Sequence, residues 1–498
     1  MQRRVSGLLT LVLLCACGGK KADSPSTKDD ASAGSSVTPL AMPTSGVDKI
    51  ARMNFVYGDG WPAYDKAVAA NGKKDLAAAR TFAEQSIGKD PYHYDAQRLL
   101  AELLAQAGEH AAAVDHLVNA LSGDYWAYGP TLAADAGLKE FFATPHGQSV
   151  TALAAKIKDD YGKRIASAIW LVGRRSTFKF PKDPGVQPAT SRGEVYAYDR
   201  ESRRYLRLTH TGHRVDAFVR APGGGELAIV GFDKIDRPKP PSTAPATLAA
   251  VWLIVLDTTD WKQVGPKVAL GAASVIEVGY GAGDALIVAV DGAVSTVDKT
   301  SGKLTKGGAL PTPRIALSLE EARTIRAPDG IEAAWSGDPP VTTSLKIPGG
   351  AAIAIPESGA TAQSAVALAP GGARVAFSTH VDPCAKETSP SLYVADTKKG
   401  TLKHLLTAAS RFATRWLDAT TLAYEDGEGA IRLWDATTGR EVARLENKVG
   451  IALDALSLSP APACKAAPAA VDAGAGSGSA DEPLPPEEGS GGPVTTPQ

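Results

Sequence analysis

The sequence predicts an all-β six-bladed β-propeller preceded by a small α-helical module, with disordered segments at both ends. Three observations lead there. After Ile165 the apolar periodicity changes from helical to alternating. An Asp-led turn motif then recurs at Asp199, Asp257, Asp298, Asp396 and Asp435. The two ends of the alternating region are also complementary: residues 165–209 read as three strands lacking an inner one, and residues 450–459 as an inner strand with nothing after it.

Length and composition agree with this plan. A chain of 498 residues exceeds the usual single core and suggests two folded units plus tails. Hydrophobic residues make up 44% and charged residues 21%, a globular balance, while 50 Gly and 34 Pro call for many turns. The 53 basic and 54 acidic residues nearly cancel, so nothing points to nucleic acid as a partner.

The N-terminus reads as an address. Arg3 and Arg4 precede an apolar stretch at 5–14 and small residues from Ala16, the layout of a signal peptide, too short to span a bilayer. Leu14-Cys15-Ala16-Cys17 resembles the bacterial lipobox, which implies a signal peptide over 1–17 and acylation of Cys17. Cys15 fits worse because bulky Leu13 and Leu14 precede it. The resemblance implies a lipid-anchored protein of the bacterial cell envelope. Gly18 stands where an Asp would favour inner-membrane retention, so the outer membrane is expected. Residues 18–46, rich in Ser, Gly and Pro, form the expected flexible tether, with a reach of roughly 30 Å.

Residues 47–164 form the helical module, with Ala- and Leu-rich helices evident from Trp61. Lys74 aligns with Gly108, Ala79 with Ala113 and Ile87 with Leu121, each 34 residues apart. With Leu100, Ala101, Leu104, Gly108, Ala113, Leu117 and Ala120, the second unit resembles a tetratricopeptide repeat. In the first unit only the second helix fits, because Lys66 and Ala70 replace large apolar positions. About one and a half repeats cannot form a long groove. The module is therefore expected to dock or space, or to be a plain pack of helical hairpins.

Residues 165–460 form the propeller. The Asp motifs are spaced by 58, 41, 98 and 39, and the 98 leaves room for a degenerate copy near 347, where "TSLKIPGGAAI" supplies strand, Gly-Gly turn and strand. An Asp opening a tight turn bonds its own backbone, and Gly accepts positive φ, which together build hairpins. A second marker runs out of phase: "RAPGGGELAIV", "GYGAGDALIVAV", "RAPDGIEAAW", "LAPGGARVAFS", "WLDATTLAYE" and, last, "LSLSPAPAC". Joining the ends, with the C-terminal strand completing the first blade, would leave no sheet edge. Residues 205–232 resemble the repeat of TolB-like propellers, and Trp434-Asp435 and Gly212-His213 resemble parts of WD repeats, although they fall in different blades. TolB-like propellers serve as envelope interaction platforms, which the resemblance extends to this chain.

Signals for chemistry are sparse. "TSGKL" at 300–304 lacks the upstream Gly of a phosphate loop, and Gly279-x-Gly281-x-Gly283 has the wrong spacing. No nucleophile elbow or paired-Cys zinc pattern occurs. His210 and His213, with Asp216 nearby, could grip a metal but lack a clear third ligand. No metal or cofactor is therefore expected; His213 should be structural and His210 solvated. His380, Asp382 and Cys384 share a loop, yet a Cys in an oxidising compartment more often pairs, making Cys384 and Cys464 a candidate disulfide, with the bond open. The tail at 461–498 lacks apolar periodicity, gathers acids and should be disordered.

Three connections are unusually long, at 174–192, 231–247 and 379–390, and by blade order they share one face. They gather Arg174, Arg175, Asp233, Asp236, Arg237, His380 and Asp382, with His210 and His213 on adjoining links. The expected function is a non-catalytic interaction platform, held to the membrane by its lipid and facing an unidentified envelope protein or glycan. The alternative is a propeller enzyme acting on glycans or peptides, which would gather buried ionisable groups in its central funnel.

Overall fold

The computed structural model describes residues 39–53, 59–176, 186–188, 191–238, 242, 246–311, 314–318, 324–326, 332–336, 341–347, 349–355, 361–362, 367–369, 371–380, 391–407, 414–425, 431–445 and 455–457. Cys17 and its lipobox, the tether to residue 38, Asp382, Cys384, Cys464 and the acidic tail lie outside them. Arg174, Arg175 and His380 are described by backbone alone.

Among the described residues seven α-helices come first: α1 (Trp61–Gly72), α2 (Leu76–Lys89), α3 (Tyr94–Gln106), α4 (His110–Gly123), α5 (Tyr125–Tyr128), α6 (Lys139–Phe142) and α7 (Pro145–Ser167). Local signals start them. Asp75 caps α2 by accepting from the Ala78 N–H at 3.1 Å, and Thr144 caps α7 by accepting from the Gly147 N–H at 3.2 Å, with Pro145 opening the helix. Helix α1 packs on α2 and α3 on α4. The 34-residue period is visible in the packing, because Ala79 and Ala113 are both 0% exposed. It is visible in the backbone too, where Lys74 and Gly108 turn between paired helices at φ 62° and 79°. None of the described helices is long and apolar enough to cross a membrane.

The end of the expected tether is built into the fold. Val47 exchanges backbone hydrogen bonds with Tyr205, the Gly46 N–H donates to the Ser122 carbonyl at 2.7 Å, and Arg164 donates to the Ser45 carbonyl at 3.0 Å. Ser45 and Val47 are each 1% exposed, so the free length ends before residue 45.

Antiparallel sheets follow in succession. The first comprises β1 (Ile169–Ser176), β3 (Ser191–Asp199) and β4 (Arg204–Arg207); β2 (Val186–Pro188) joins the second, with β5 (Ala217–Arg220), β6 (Glu226–Asp236), β7 (Thr247–Asp257) and β8 (Gln263–Ala273). The third holds β9 (Val275–Tyr280), β10 (Leu286–Val290), β11 (Ala293–Val297), β12 (Leu304–Lys306) and β13 (Arg314–Ser318). After β14 (Thr324–Arg326) come β15 (Glu332–Ser336), β16 (Val341–Lys346) and β17 (Ile353–Ala354). Next are β18 (Thr361–Ala362), β19 (Ala367–Leu368), β20 (Arg374–His380), β21 (Ser391–Asp396) and β22 (Leu402–Thr407). The last meander is β23 (Thr414–Trp416), β24 (Thr421–Glu425), β25 (Ile431–Asp435) and β26 (Arg440–Leu445), followed by β27 (Ala455–Ser457).

The repeated Asp does what its chemistry dictates. Asp199, Asp257, Asp298, Asp396 and Asp435 each accept, through Oδ1, the N–H two residues on, at 3.2, 2.6, 3.0, 2.9 and 2.6 Å. Each opens the turn into the outermost strand of its meander. At the degenerate copy, the turn between β16 and β17 is closed by the Gly350 N–H donating to the Ile347 carbonyl at 2.9 Å, with Gly349 at φ 66°.

The expected strand closure is corrected. The C-terminal strand β27 does not complete the first sheet; it runs parallel to β14, pairing Thr324 with Ala455 and Arg326 with Ser457. The C-terminal strand was expected as the inner strand of the first sheet, and among the described residues that sheet, β1-β3-β4, and β15-β16-β17 have three strands each. The physical reason lies near the inner edges. Strand β13, which the repeat does not contain, pairs along β9, abuts β5 and leads into β14. With β14 drawn there, the two short segments satisfy each other's backbone groups.

The ends still meet through side chains. Ile169, Leu171, Tyr196 and Tyr198 of the first sheet share one apolar cluster with Ala423, Ile431, Leu433 and Leu445 of the last. Arg200 reaches Asp418 at 3.3 Å across the same junction. The helices are not a separate body either: a single core runs from Ala67 and Leu117 through Ile157 and Trp170 to Ile229 and Ile254.

Candidate binding face

Two of the three long connections carry strands among their described residues. Strands β6 and β7 have 11 residues each, against 5 in β10, and residues 231–236 carry the ribbon about 20 Å past the part of β6 that β5 covers. Strand β8 continues along β7 there, and residues from the 174–192 connection add a fourth strand on the β6 side, with Val186 opposite Asp236 and Pro188 opposite Lys234. Asp233, Lys234 and Arg237 are exposed along it, and Lys234 and Asp236 form a surface pair at 3.6 Å.

The root of this ribbon joins two residues singled out by sequence. Buried Trp252 donates its indole N–H to Asp233 Oδ1 at 3.2 Å, and His213 lies against its ring with centroids 5.3 Å apart. The Arg214 guanidinium sits 4.1 Å over the Phe232 ring. Gly231 is required here, because a Cβ would fall 2.0 Å from the Arg214 carbonyl and 2.4 Å from Trp252. Trp252 is the member that sequence reasoning missed; its place in a strongly apolar strand hides a polar task.

His210 is exposed at its surface side and bonded on the other. Its Nε2 lies 2.9 Å from both carboxylate oxygens of Asp124, in the cap of α4, and Arg207 reaches the same carboxylate at 3.5 Å. Arg207 also reaches Glu194 at 3.4 Å; Glu194 accepts from the Thr209 hydroxyl at 2.5 Å and from the Thr211 and Gly212 N–H groups at 3.1 and 3.0 Å. Burial opposes ionisation of Asp124, yet the His210 and Arg207 charges outweigh it and hold the carboxyl below its usual range. This satisfied network joins the helical layer to the first sheet. Asp124, Glu194 and Arg207 carry no motif; the signal that could have found them is polar residues within otherwise apolar strands and helix ends.

The arrangement separates the two imidazoles, one on Asp124 and the other on Trp252, while Asp216 pairs with Arg214 at 2.8 Å. No cluster of three or more metal-ligating side chains occurs among the described residues. Around the inner strands, buried Glu277 is matched by Arg314 at 2.9 Å, and the Arg415 guanidinium lies 5.0 Å over the Phe218 ring. His380 ends β20 opposite Thr361, and Arg174 and Arg175 pair with Gly193 and Arg192 along β1. The structure thus groups Asp233, Asp236 and Arg237 on one ribbon, packs His213 at its root and places His210 at the helix junction.

No known family matches the chain, and no curated protein matches it in sequence. Similar solved structures include the tricorn protease, at 12% identity and a TM-score of 0.30, covering 55% of this chain and 26% of that one. TolB from Acinetobacter baumannii matches at 10% identity and a TM-score of 0.31, over 64% and 74% of the two chains. Sqt1 from Saccharomyces cerevisiae matches at 12% and 0.24, over 55% and 74%. The chain spans about a quarter of the tricorn protease's length, and its architecture rests on its own strand pairings.

Proposed function

We propose that the protein is a lipid-anchored envelope lipoprotein whose sheets form a six-bladed propeller serving as a non-catalytic interaction platform, with the β6–β7 ribbon as its working face. The observation that carries this reading is the ribbon: a six-residue paired extension, reinforced by a strand from a second connection and rooted in the Trp252–Asp233–His213 contact. One face of the ribbon is packed into the core through Phe232, Leu248 and Val251, while Asp233, Lys234 and Arg237 are exposed and offer charged side chains to a partner. Anchoring rests on the Cys17 lipobox, with the sequence before Ser45 as tether.

The test is photocrosslinking in the native cell from a probe replacing Arg237, with the captured protein or glycan identified. The same probe in a Lys234→Ser/Asp236→Ser variant, whose replaced side chains are about half exposed, should lose that capture while the melting temperature shifts by less than about 3 °C. Undiminished capture by this variant would move the site elsewhere. Cys17→Ser should release the protein from membranes, and its retention there would refute the anchor.

A further inference from the structure

A cavity of about 510 Å³ lies where α5 and α7 meet the second sheet. Trp126 comes from the helical side and Trp261 from the turn between β7 and β8, with ring centroids 6.2 Å apart; Trp170 stands 5.5 Å from Trp261. The Arg220 guanidinium lies 4.1 Å over the Trp170 ring, and Lys158 and Lys163 of α7 also line the space. Against these three cations the lining has one carboxylate, Asp159. The buried indole N–H of Trp126 has no hydrogen-bond acceptor within the protein.

Aromatic walls, an indole donor and surplus positive charge suit a particular ligand, a proline-rich peptide with acidic flanks. Prolines bring a stiff, extended backbone whose carbonyls are unpaired, so docking costs little entropy and supplies acceptors to indole N–H groups. The chain contains one such segment. Residues 481–488 read Asp-Glu-Pro-Leu-Pro-Pro-Glu-Glu, and the whole stretch 461–498 has five acids against the single base Lys465. The 23 residues between Ser457 and Asp481 can span about 80 Å, more than the ~60 Å across a globule of some 400 residues.

We propose that residues 481–488 dock in cis in the Trp126–Trp170–Trp261 cavity, with Pro-Leu-Pro-Pro against the indoles and the flanking carboxylates toward Lys158, Lys163 and Arg220. Tethering gives the segment an effective concentration near the millimolar range, so a weak intrinsic affinity suffices. The site is separate from the β6–β7 ribbon and does not depend on its role.

The experiment is fluorine NMR of the full-length chain carrying fluorotryptophan at its 8 Trp positions, assigned by Trp126→Phe and Trp261→Phe. It compares the parent with the full-length variant Glu482→Lys/Pro485→Ser/Pro486→Ser/Glu487→Lys. The Trp126 and Trp261 resonances should shift in the variant while the signals of Trp252 and Trp434 stay in place and report an intact fold. A synthetic peptide of residues 479–490 should restore the parent positions, and tenfold dilution of the parent should change nothing. Identical spectra for parent and variant would overturn the proposal. So would restoration by a galacturonic acid trisaccharide but not by the peptide, which would make this a saccharide site. A shift of the parent on dilution would place the segment in another copy and refute docking in cis.

Discussion

Asp124 shows how one side chain can join two layers. A carboxylate this deeply buried is costly unless paired, and here His210 and Arg207 pair it across 86 and 83 residues of sequence. Its folded pKa is held below the ordinary value near 3.9, so its contribution is fully present above about pH 4 and is lost as the pH falls through the folded value. Asp124→Asn should therefore cost about 3 kcal/mol at pH 7, where it leaves the Arg207 charge short of a partner. The difference from the parent should narrow steadily below pH 4. Urea unfolding of both proteins at pH 7, 5 and 3.5 measures this, and a gap independent of pH would separate the stability from the ionised carboxylate.

At the scale of elements, what could be read from sequence was what is local. The Asp turns depend on atoms two or three residues apart, so the motif that predicted them contains their cause. The 34-residue helical period survives for the same reason, down to a shared left-handed turn. Gly108 adopts it freely, whereas Lys74 holds φ 62° with a Cβ that opposes it. Lys74→Gly should stabilise the chain by about 0.5–1 kcal/mol and Gly108→Ala should destabilise it by about 1 kcal/mol, read as shifts of the urea midpoint at constant slope. Strand pairing was less legible. The partnership of β14 with β27 spans more than 120 residues and was decided by β13, whose sequence gives no sign that it will bind along β9. The long connections around residues 186 and 234 carry alternating character too weak to announce a ribbon, since the short strand at 186–188 is paired only with a distant segment of β6 among the described residues.

On the scale of the whole molecule, the helices, the first sheet and the last sheet form one continuous structure. The helical core runs into the first two sheets, and the first sheet faces the last through Ile169, Leu171, Leu433 and Leu445. The complementarity of the two chain ends was legible in the sequence, while its form was not: the ends meet by packing and by the Arg200–Asp418 contact rather than by a shared strand. The most direct measurement is the spin–spin distance between nitroxide labels placed at Arg200 and Asp418 of the full-length protein. The account predicts a single narrow distribution below about 25 Å, unchanged until global unfolding, given two side chains that meet at 3.3 Å. A broad distribution centred well beyond that, as for an open arc of sheets, would contradict it.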